Sequence, residues 1–288
     1  MLLTIFTPTY NRANLLSRLY NSLCLQTFQD FEWVIVDDGS QDDTENVIKK
    51  FIEESKIPIV YSKQENSGKH IAINKGVSLA KGELFFIVDS DDFLLPNAVE
   101  MVSNNYSNIQ NVEVAGLSFR RGYDAQIPIG SSNFKTPFLM NVFEFRYGKK
   151  VVGDMAEVIK TDIMKKYTFP KLLNEKFLTE GLIWNRIGQK FKFLWLPEVI
   201  YIGEYLEGGL TDNNFSVRKK SPEGTLIFYS ELQRMPINFF YKLRANINYW
   251  RFAKFSNRSF ISKFKDVRFI LSFFGLPLSL IFFIKDSK

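Results

Sequence analysis

Apolar runs alternate with helical patterns along the first third of the chain, and this alternation limits the fold more than any other feature of the sequence. Apolar runs that are typical of buried strands lie at 2–6, 31–36, 57–61 and 85–88. Between them, apolar residues recur at helical spacing, over 13–25, from Asp42 or Asp43 to Ile52, and over 70–80. This order predicts a parallel sheet covered by helices on both faces.

Three of the predicted strands end in polar or acidic residues. These endings are residues 7–12 (TPTYNR), 37–40 (DDGS) and 89–92 (DSDD). In parallel sheets the carboxyl ends of the strands share one edge, where ligands bind. The carboxylates at 89–92 indicate either a divalent cation with oxygen ligands or an acidic turn before the helix that Pro96 and Asn97 open. Three such endings at one edge favour a ligand site.

Several common signatures are absent from the sequence. It contains neither GxGxxG, the dinucleotide fingerprint, nor GxxxxGK[ST], the P-loop, so two frequent kinds of nucleotide site are excluded. Cys24, the single cysteine, lies on a helical pattern and has no partner for an internal disulfide. Residues 1–5 lack the charged and apolar regions of a signal peptide. We therefore expect a cytoplasmic protein.

Residues 214–288 differ from the rest of the chain in charge. They contain 14 Lys or Arg and 4 Asp or Glu, a net charge of +10 in a chain whose total is +6. Phe269 to Ile284 are 16 residues without charge, which is short for a membrane span. The mixture of basic and aromatic residues favours amphipathic helices in a lipid interface, and the alternative is a helical cap on the preceding domain. No nucleic-acid-binding motif is present, so we expect no such partner.

Four segments resemble, in order and spacing, the motifs of the family 2 inverting glycosyltransferases of GT-A fold. They are residues 7–12 (TPTYNR), 36–40 (VDDGS), 66–69 (NSGK) and 89–92 (DSDD). Each motif is weak alone, but four in order are specific. The resemblance implies an α/β fold with a Rossmann-like mixed sheet and a C-terminal helical tail. It also implies a nucleotide-sugar donor, a divalent metal and an acceptor hydroxyl.

The resemblance assigns the first strand endings to the nucleotide. Thr7, Pro8 and Tyr10 would line the base pocket, and Arg12 would lie near it. Asp38 would accept a hydrogen bond from the base, most simply from N3–H of uracil, because a carboxylate is a strong acceptor. The alternative for Asp38 is an Asx turn over the two residues that follow it.

The loop at 66–69 resembles the donor loop of the family. Asn66, Gly68 and Lys69 would contact the donor, with Gly68 allowing close backbone approach and Lys69 meeting phosphate, unless Lys69 is simply solvated. His70, the one histidine, is expected to have a packing or hydrogen-bonding role. Asn74 lies four residues further along the same helical face, at a polar position of the family.

The acidic segment resembles the DxD motif of the family. Asp91 would be the direct ligand of Mn²⁺ or Mg²⁺. Asp89 would hold the ribose or the other side of the metal, and Ser90 would contact the nucleotide. Asp92 could instead cap the helix beyond. The metal would neutralise the departing nucleoside diphosphate.

An inverting transferase needs one general base on the acceptor side. Residues 177–186 (FLTEGLIWNR) resemble the base segment of the family, and Glu180 would be the base. Gly181 stands where a second carboxylate is common, so Asp154 and Glu175 remain candidates. The alternative for Glu180 is an interaction with a helix dipole. Residues 204–211 resemble the segment that closes the donor site.

The chain divides into two predicted regions. Residues 1–213 form the catalytic domain, with a nucleotide-sugar-binding half (1–110) and an acceptor half (111–213), and 214–288 form a basic, Phe-rich helical region. Strands are predicted at 112–119, from 153 and at 194–201. Residues 120–150 are predicted to form a long loop of the kind that is usually functional. Thr161 is predicted to cap a short helix.

These expectations combine into one function. The chain would be a metal-dependent inverting glycosyltransferase of the hexosyltransferase type, which moves a sugar from a nucleotide-sugar, most simply a UDP-sugar, to a hydroxyl of a glycan or lipid-linked acceptor in surface polysaccharide synthesis. It would contact the inner face of the cell membrane through its tail. The alternatives are a sugar-1-phosphate nucleotidyltransferase, whose Gly-rich, Arg-containing loop is absent, and a non-catalytic nucleotide-sugar-binding scaffold.

Overall fold

The computed structural model describes residues 1–131, 134–203 and 214–286. The strands are β1 (Leu3–Thr9), β2 (Phe31–Asp37), β3 (Ile59–Lys63), β4 (Leu84–Ile87), β5 (Phe93–Leu94), β6 (Val114–Gly122), β7 (Phe138–Met140), β8 (Met155–Lys160) and β9 (Lys192–Ile202). The helices are α1 (Ala13–Cys24), α2 (Thr44–Glu54), α3 (Lys69–Leu79), α4 (Ala98–Tyr106), α5 (Thr161–Lys166), α6 (Gly181–Gly188), α7 (Asn214–Lys220), α8 (Pro222–Leu232), α9 (Phe239–Ala253), α10 (Phe260–Lys265) and α11 (Phe269–Asp286). A 3₁₀ turn, Ser107–Ile109, follows α4, and a π-helical turn, Glu144–Gly148, follows β7.

One mixed sheet joins all the strands in the order β3-β2-β1-β4-β8-β6-β9-β5, with β7 added beside β9. The first four strands are parallel, whereas β8 runs antiparallel to both of its neighbours, β4 and β6. The predicted α/β fold with a mixed sheet is confirmed. The carboxyl ends of β1, β2 and β4 therefore share one edge, as the sequence predicted.

Helices cover both faces of the sheet because its central strands are apolar on both sides. Every residue of β1 and β2 is buried. One core lies between the sheet and the helices α1, α2 and α4. A second core lies on the opposite face and includes residues of α3, α5 and α6. This layering follows from strands that are buried on both faces in a parallel sheet.

The region predicted as a loop at 120–150 is more ordered than expected. β6 continues to Gly122, β7 pairs with β9, and the π-helical turn contributes Phe145 to the second core. The ring of Phe145 stacks on Trp195 with centroids 3.5 Å apart. The prediction of a long loop was therefore wrong, because a strand of three residues and one helical turn leave little periodicity in a sequence.

The two helices with an expected capping residue differ: Thr161 does not cap α5, whereas Asp42 accepts a backbone amide at the start of α2. The hydroxyl of Thr161 donates to the carbonyl of Gly82 instead of capping α5. Asp43 stands at the N-cap of α2, but its side chain does not accept a backbone amide there. The amide of Thr44 donates to Asp42 instead, so the acidic pair does hold the start of α2.

The C-terminal helices pack on the preceding domain at their start. Leu232, Met235, Ile237 and Ala245, from α8, α9 and the turn between them, belong to the second core. Arg186 of α6 also donates two hydrogen bonds to Glu231 of α8, at 2.9 and 2.7 Å. The helical tail is thus confirmed, and its first part is the cap that the sequence left as an alternative.

The last helix, α11, is different because much of its apolar surface faces outward. Phe269, Ile270 and Phe273 are 74, 73 and 71% exposed. No helix in the described part of the chain is both long enough and apolar enough to cross a membrane.

Candidate active site

The loop that follows β3 is fixed by the carboxylate of Asp38. This carboxylate accepts hydrogen bonds from the amides of Ser67 and Gly68, at 2.8 and 2.7 Å, and from the side chain of Gln64. Asp38 does not form the Asx turn that was its alternative, and the amide of Ser40 donates to Asp37 instead. Asp38 is buried at the end of β2 and orders the predicted donor loop, and its contact with a base stays a prediction.

Gly68 has a backbone conformation that explains its place in this loop. Its φ is +93°, and a Cβ there would lie 2.1 Å from the carbonyl oxygen of Lys176. A side chain at this position would therefore force the loop away from the segment that precedes α6. Asn66, in the same loop as Gly68, is half-buried and lies next to Gly39, which follows β2.

The residues at the end of β1 that were predicted to contact the base differ in how accessible their side chains are. Tyr10 is 46% exposed, and Arg12 lies 3.7 Å from a carboxylate oxygen of Asp91. Thr7 is fully buried, and its hydroxyl accepts a hydrogen bond from the indole of Trp33, so its side chain has no surface for a base. Pro8 is likewise buried in the strand. Among the four residues predicted to contact the base, Tyr10 and Arg12 are thus the ones whose side chains a ligand could reach.

Lys69 joins the predicted donor and acceptor sides of the site. Its ammonium lies 2.6 Å from Asp89 and 2.7 Å from Glu180. Gly68 ends the donor loop just before it, and α3 begins at Lys69 itself. One side chain therefore contacts both the first carboxylate of the DxD segment and the predicted base.

Asp89 is held by positive charge on two sides. Arg121, at the end of β6, lies 3.9 Å from its other oxygen. Burial would raise the pKa of Asp89, but the charges of Lys69 and Arg121 hold that pKa below its ordinary value. Asp89 is therefore ionised and already neutralised by the protein.

The sequence suggested that Asp92 could cap the following helix, but it does not. Its carboxylate accepts a hydrogen bond from the hydroxyl of Tyr201, at 2.5 Å, and that hydroxyl accepts the amide of Asp89 at 3.0 Å. Burial and the nearby charge of Asp89 raise the pKa of Asp92 to about 6. The guanidinium of Arg121 lies over the Tyr201 ring, 4.1 Å from its centre. Asp92, Tyr201 and Arg121 thus form the support behind Asp89, while Ser90 is buried beside them.

The acidic segment suits a metal that is shared with a ligand. No cluster of three or more His, Cys, Asp or Glu side chains with the arrangement of a metal site occurs in the described ranges. Mg²⁺ is usually held by one or two carboxylates together with substrate phosphates, so such a cluster is not required. Asp91 is partly exposed and contacts a single cation, whereas Asp89 is engaged by two. Asp91 is therefore the more accessible of the two carboxylates, and its role as a metal ligand stays a prediction.

A cavity of about 690 Å³ opens on the side of the predicted base. Its lining includes Lys69, Asp89, Arg121 and Glu157, which are all partly buried, and also Glu180. Glu157, on β8, lies 3.6 Å from Arg146. Burial raises the pKa of Glu157 to about 7, against the opposing charges of Arg146 and Arg121.

The two other candidates for the base lie in different places. Asp154 is exposed and lines the cavity. Glu175 does not, because its oxygens accept the amides of Glu223 and Gly224 at the start of α8, at 2.7 and 2.8 Å. Glu175 is therefore a helix-capping residue, and its candidacy as the base was wrong. Glu180 precedes α6, as expected, and its role stays a prediction.

His70 and Asn74 of α3 have structural roles. His70 is 1% exposed and packs edge-to-face against Phe169, and neither of its nitrogens has a hydrogen-bond partner. Burial lowers its pKa, so it is neutral. The side chain of Asn74 both donates to and accepts from the backbone of Phe169. The expected packing of His70 is confirmed.

Sequence reasoning missed Arg121, Tyr201, Glu157 and Arg146. Arg121 had a usable signal, because it stands at the carboxyl end of a predicted strand, where ligand-binding residues collect. Tyr201 had the same signal, because it ends the predicted strand at 194–201, whereas Glu157 and Arg146, which pair with each other, had none. The predicted closing segment at 204–211 lies outside the described residues.

Comparison with known proteins places this geometry in a family. The model of the family described as glycosyl transferase family 2 matches residues 4–167, which is more than half of the chain. An uncharacterized glycosyltransferase of Nostoc is 37% identical over 159 residues, which are 55% of this chain and 45% of that protein. Chondroitin synthase of Pasteurella multocida is 36% identical over 133 residues, 43% of this chain and 14% of that protein. Both matches span less than half of the relative's length.

Solved structures share the fold. Residues 1–349 of Staphylococcus aureus TarS, in complex with UDP-GlcNAc, superpose with a TM-score of 0.66 at 19% identity, covering 88% of this chain and 72% of that one. A mannosyltransferase of Pyrobaculum calidifontis, in complex with GDP-Man and Mn²⁺, gives 0.59 at 14% identity and covers 99% and 88%. At these identities the likeness concerns the fold alone. The family match decides the assignment: the chain belongs to glycosyl transferase family 2.

Proposed function

We propose that the protein is a metal-dependent inverting glycosyltransferase that moves a sugar from a nucleotide-sugar, most simply a UDP-sugar, to a hydroxyl of a glycan or lipid-linked acceptor. The observation that carries this proposal is the pair of contacts made by Lys69. They place a DxD carboxylate, Asp89, and a second carboxylate, Glu180, on either side of one ammonium. This arrangement supplies a leaving-group side and a base side, which direct displacement requires.

The donor side consists of three strand endings. Tyr10 offers an exposed ring for a base, and Asp38 orders the loop beside it. Arg12 and Lys69 provide positive charge next to Asp91 and Asp89. The solved relatives are bound to UDP-GlcNAc and to GDP-Man, which supports a nucleotide-sugar as the ligand of this edge.

A divalent ion bound at Asp91 would neutralise the charge that develops on the departing nucleoside diphosphate. Asp89 keeps its place through Lys69, Arg121 and the hydroxyl of Tyr201. These residues preorganise the site before the donor arrives, so that little reorganisation is needed during transfer.

Glu180 is the proposed general base. It would accept the proton of the acceptor hydroxyl as the oxygen attacks the anomeric carbon from the side opposite to the diphosphate. Glu180 borders the cavity, so an acceptor that occupies this space meets its carboxylate. The cavity volume of about 690 Å³ is within the range of ligand-binding clefts.

The C-terminal helices would hold the enzyme at the inner face of the cell membrane. Exposed apolar residues on α11 lie next to basic residues of α9 and of the turn before α11. A second cavity, of about 510 Å³, has this mixed character, since its lining is Phe239, Lys242, Arg268, Phe269, Ile270 and Leu271. Apolar side chains beside cations suit a surface of anionic lipids.

A thermal-shift screen of nucleotide-sugars, with and without Mn²⁺, tests the donor and the metal together. A bound donor stabilises the folded protein by mass action, so one nucleotide-sugar should raise the melting temperature by several degrees, and only with Mn²⁺. In Asp91→Asn this metal-dependent shift should vanish. An equal shift in that variant, or no shift with any nucleotide-sugar, would contradict the proposal.

A further inference from the structure

Positively charged side chains outnumber carboxylates in the lining of the cavity beside Glu180. Three of its cations are paired with carboxylates: Lys69 with Asp89 and Glu180, Arg121 with Asp89, and Arg146 with Glu157. The side chains of these pairs are all partly buried.

Four other cations line the same cavity without an acidic partner. They are Lys150, Lys176, Arg218 and Arg244, and no carboxylate of the described residues lies within ion-pair distance of any of them. Asp154 is the one remaining carboxylate among the lining residues. The cavity lining therefore carries an excess of positive charge that the carboxylates of the described residues do not compensate.

We propose that the acceptor carries a negatively charged group, a phosphate or a carboxylate, which Lys150, Lys176 and Arg244 bind at the rim of this cavity. This inference rests on the proposed function, because it takes the cavity to be the acceptor site. The three side chains are exposed, so they can reach a group at the rim without moving buried structure.

Arg218 supplies a second observation. Its guanidinium is 5.6, 5.5 and 5.4 Å from the ring centres of Phe177, Phe228 and Tyr229. One of its terminal nitrogens is buried and has no hydrogen-bond partner among the residues that the structure describes. A buried donor without an acceptor is costly, and an anionic ligand would supply the missing acceptor.

Aromatic side chains complete the lining. Tyr147 and Tyr241 meet edge-to-face with ring centres 5.0 Å apart, and Trp184 and Phe228 also line the cavity. Aromatic rings offer apolar faces with a polar edge, which suits the mixed surface of a sugar ring. Rings together with unpaired cations therefore fit an anionic saccharide better than a neutral one.

Binding of three matched probes tests the inference. Chitotetraose is neutral, a hyaluronan tetrasaccharide carries carboxylates, and N-acetylglucosamine linked to farnesyl diphosphate carries two phosphates. Each is titrated against the full-length protein by calorimetry, with and without UDP and Mn²⁺. We expect one of the anionic probes to bind at least about tenfold more tightly than chitotetraose, with an affinity that falls as salt rises. The diphosphate and carboxylate arms distinguish the two sources of charge.

The variant for this test is the triple Lys150→Gln, Lys176→Gln, Arg244→Gln. Exposed ionic contacts contribute little individually, so all three are removed, with an expected loss of about tenfold for the anionic probe. The control is the triple Lys50→Gln, Lys75→Gln, Lys190→Gln, which lowers the net charge equally at exposed positions outside the cavity. UDP binding should be unchanged in both.

Several results would overturn the inference. They are equal binding of chitotetraose, failure of both anionic probes to bind, and equal losses in the two triple variants. Failure of the proposed function looks different, because UDP itself would then not bind in the presence of Mn²⁺. A titration with UDP and Mn²⁺, without a saccharide probe, separates the two failures.

Discussion

Lys69 is the residue through which the two sides of the site interact. Its ammonium lies within ion-pair distance of two carboxylates, Asp89 and Glu180, which are distant from each other in the sequence. Three neighbouring like charges would otherwise repel, since Asp89 also lies close to Asp92. Lys69 therefore has an electrostatic role in the free protein as well as the expected role toward a diphosphate.

At the scale of residues, the sequence predicted the places of two site residues correctly, and their roles stay predictions. Asp91 and Glu180 stand at a strand end and at a helix start, and both positions can be identified from local patterns. The role of Asp92 could not be predicted, because its partner, Tyr201, is 109 positions away. Thr7 was misplaced for a similar reason, since its hydroxyl is taken by Trp33 of the neighbouring strand.

Glu157 should make the stability of the protein depend on pH. Its pKa of about 7 in the folded protein lies above the ordinary value, so the folded state binds more protons than the unfolded state between the two values. Its contribution to stability is thus fully present at low pH and is lost as the pH rises through 7. The decline in the free energy of unfolding amounts to at most about 1.4 kcal/mol for each pH unit, and it should be absent in Glu157→Gln.

Urea denaturation at pH 5 and pH 7.5 measures this difference. Glu113→Gln is the control, because Glu113 is exposed and its side chain has no recorded partner in the described part of the chain. The same loss of stability between the two pH values in Glu157→Gln and in the wild type would refute the assignment.

At the scale of elements, the parallel half of the sheet was predictable and the acceptor half was less so. The strands β1, β2 and β4 are fully buried and mostly apolar, as parallel strands covered on both faces require. β7 has three residues and pairs antiparallel with β9 at a distance of more than fifty positions. Elements so short depend on tertiary packing, which a local pattern does not record.

The donor loop depends on Gly68, and Gly68→Ala should disrupt it. The positive φ strains any side chain, and the new Cβ would collide with the backbone of Lys176. We expect a loss of about 2 kcal/mol or more in the free energy of unfolding, together with weaker UDP binding. Both follow from displacement of the loop that Asp38 holds.

Gly148→Ala is the matched control for this variant. A Cβ at Gly148 would meet only the side chain of Glu144, at an ordinary distance of 3.5 Å. Chemical denaturation and calorimetry with UDP compare the two variants. Equal stability of Gly68→Ala and Gly148→Ala would show that the loop does not need its present conformation.

At the scale of the whole molecule, the charge and the exposed apolar surface both concentrate in the C-terminal helices. Their first part completes the second core through α8 and α9, so this region is part of the folded unit. Their last part leaves the apolar residues of α11 exposed. The composition of the tail indicated both possibilities, and only the three-dimensional packing shows that they apply to different helices.

Vesicle binding tests the membrane contact that we propose. The protein should sediment with vesicles that contain phosphatidylglycerol and much less with vesicles of phosphatidylcholine alone. Ile270→Ser combined with Phe273→Ser should lower this binding by at least about tenfold, because both exposed side chains would insert between lipids.

A double variant at exposed apolar positions elsewhere, Val112→Ser with Ile127→Ser, is the control and should bind vesicles as the wild type does. Equal binding of both double variants would rule out α11 as the contact surface.

The central claim is that Glu180 takes the acceptor proton while the DxD side holds the donor. Its most direct test compares sugar transfer and UDP affinity in Glu180→Gln, with the donor that the thermal-shift screen identifies. We predict that transfer falls by about 10²- to 10⁴-fold, because the amide cannot act as a base, while the affinity for UDP in the presence of Mn²⁺ changes less than about threefold. Transfer at the wild-type rate, or a parallel loss of UDP binding, would contradict the account.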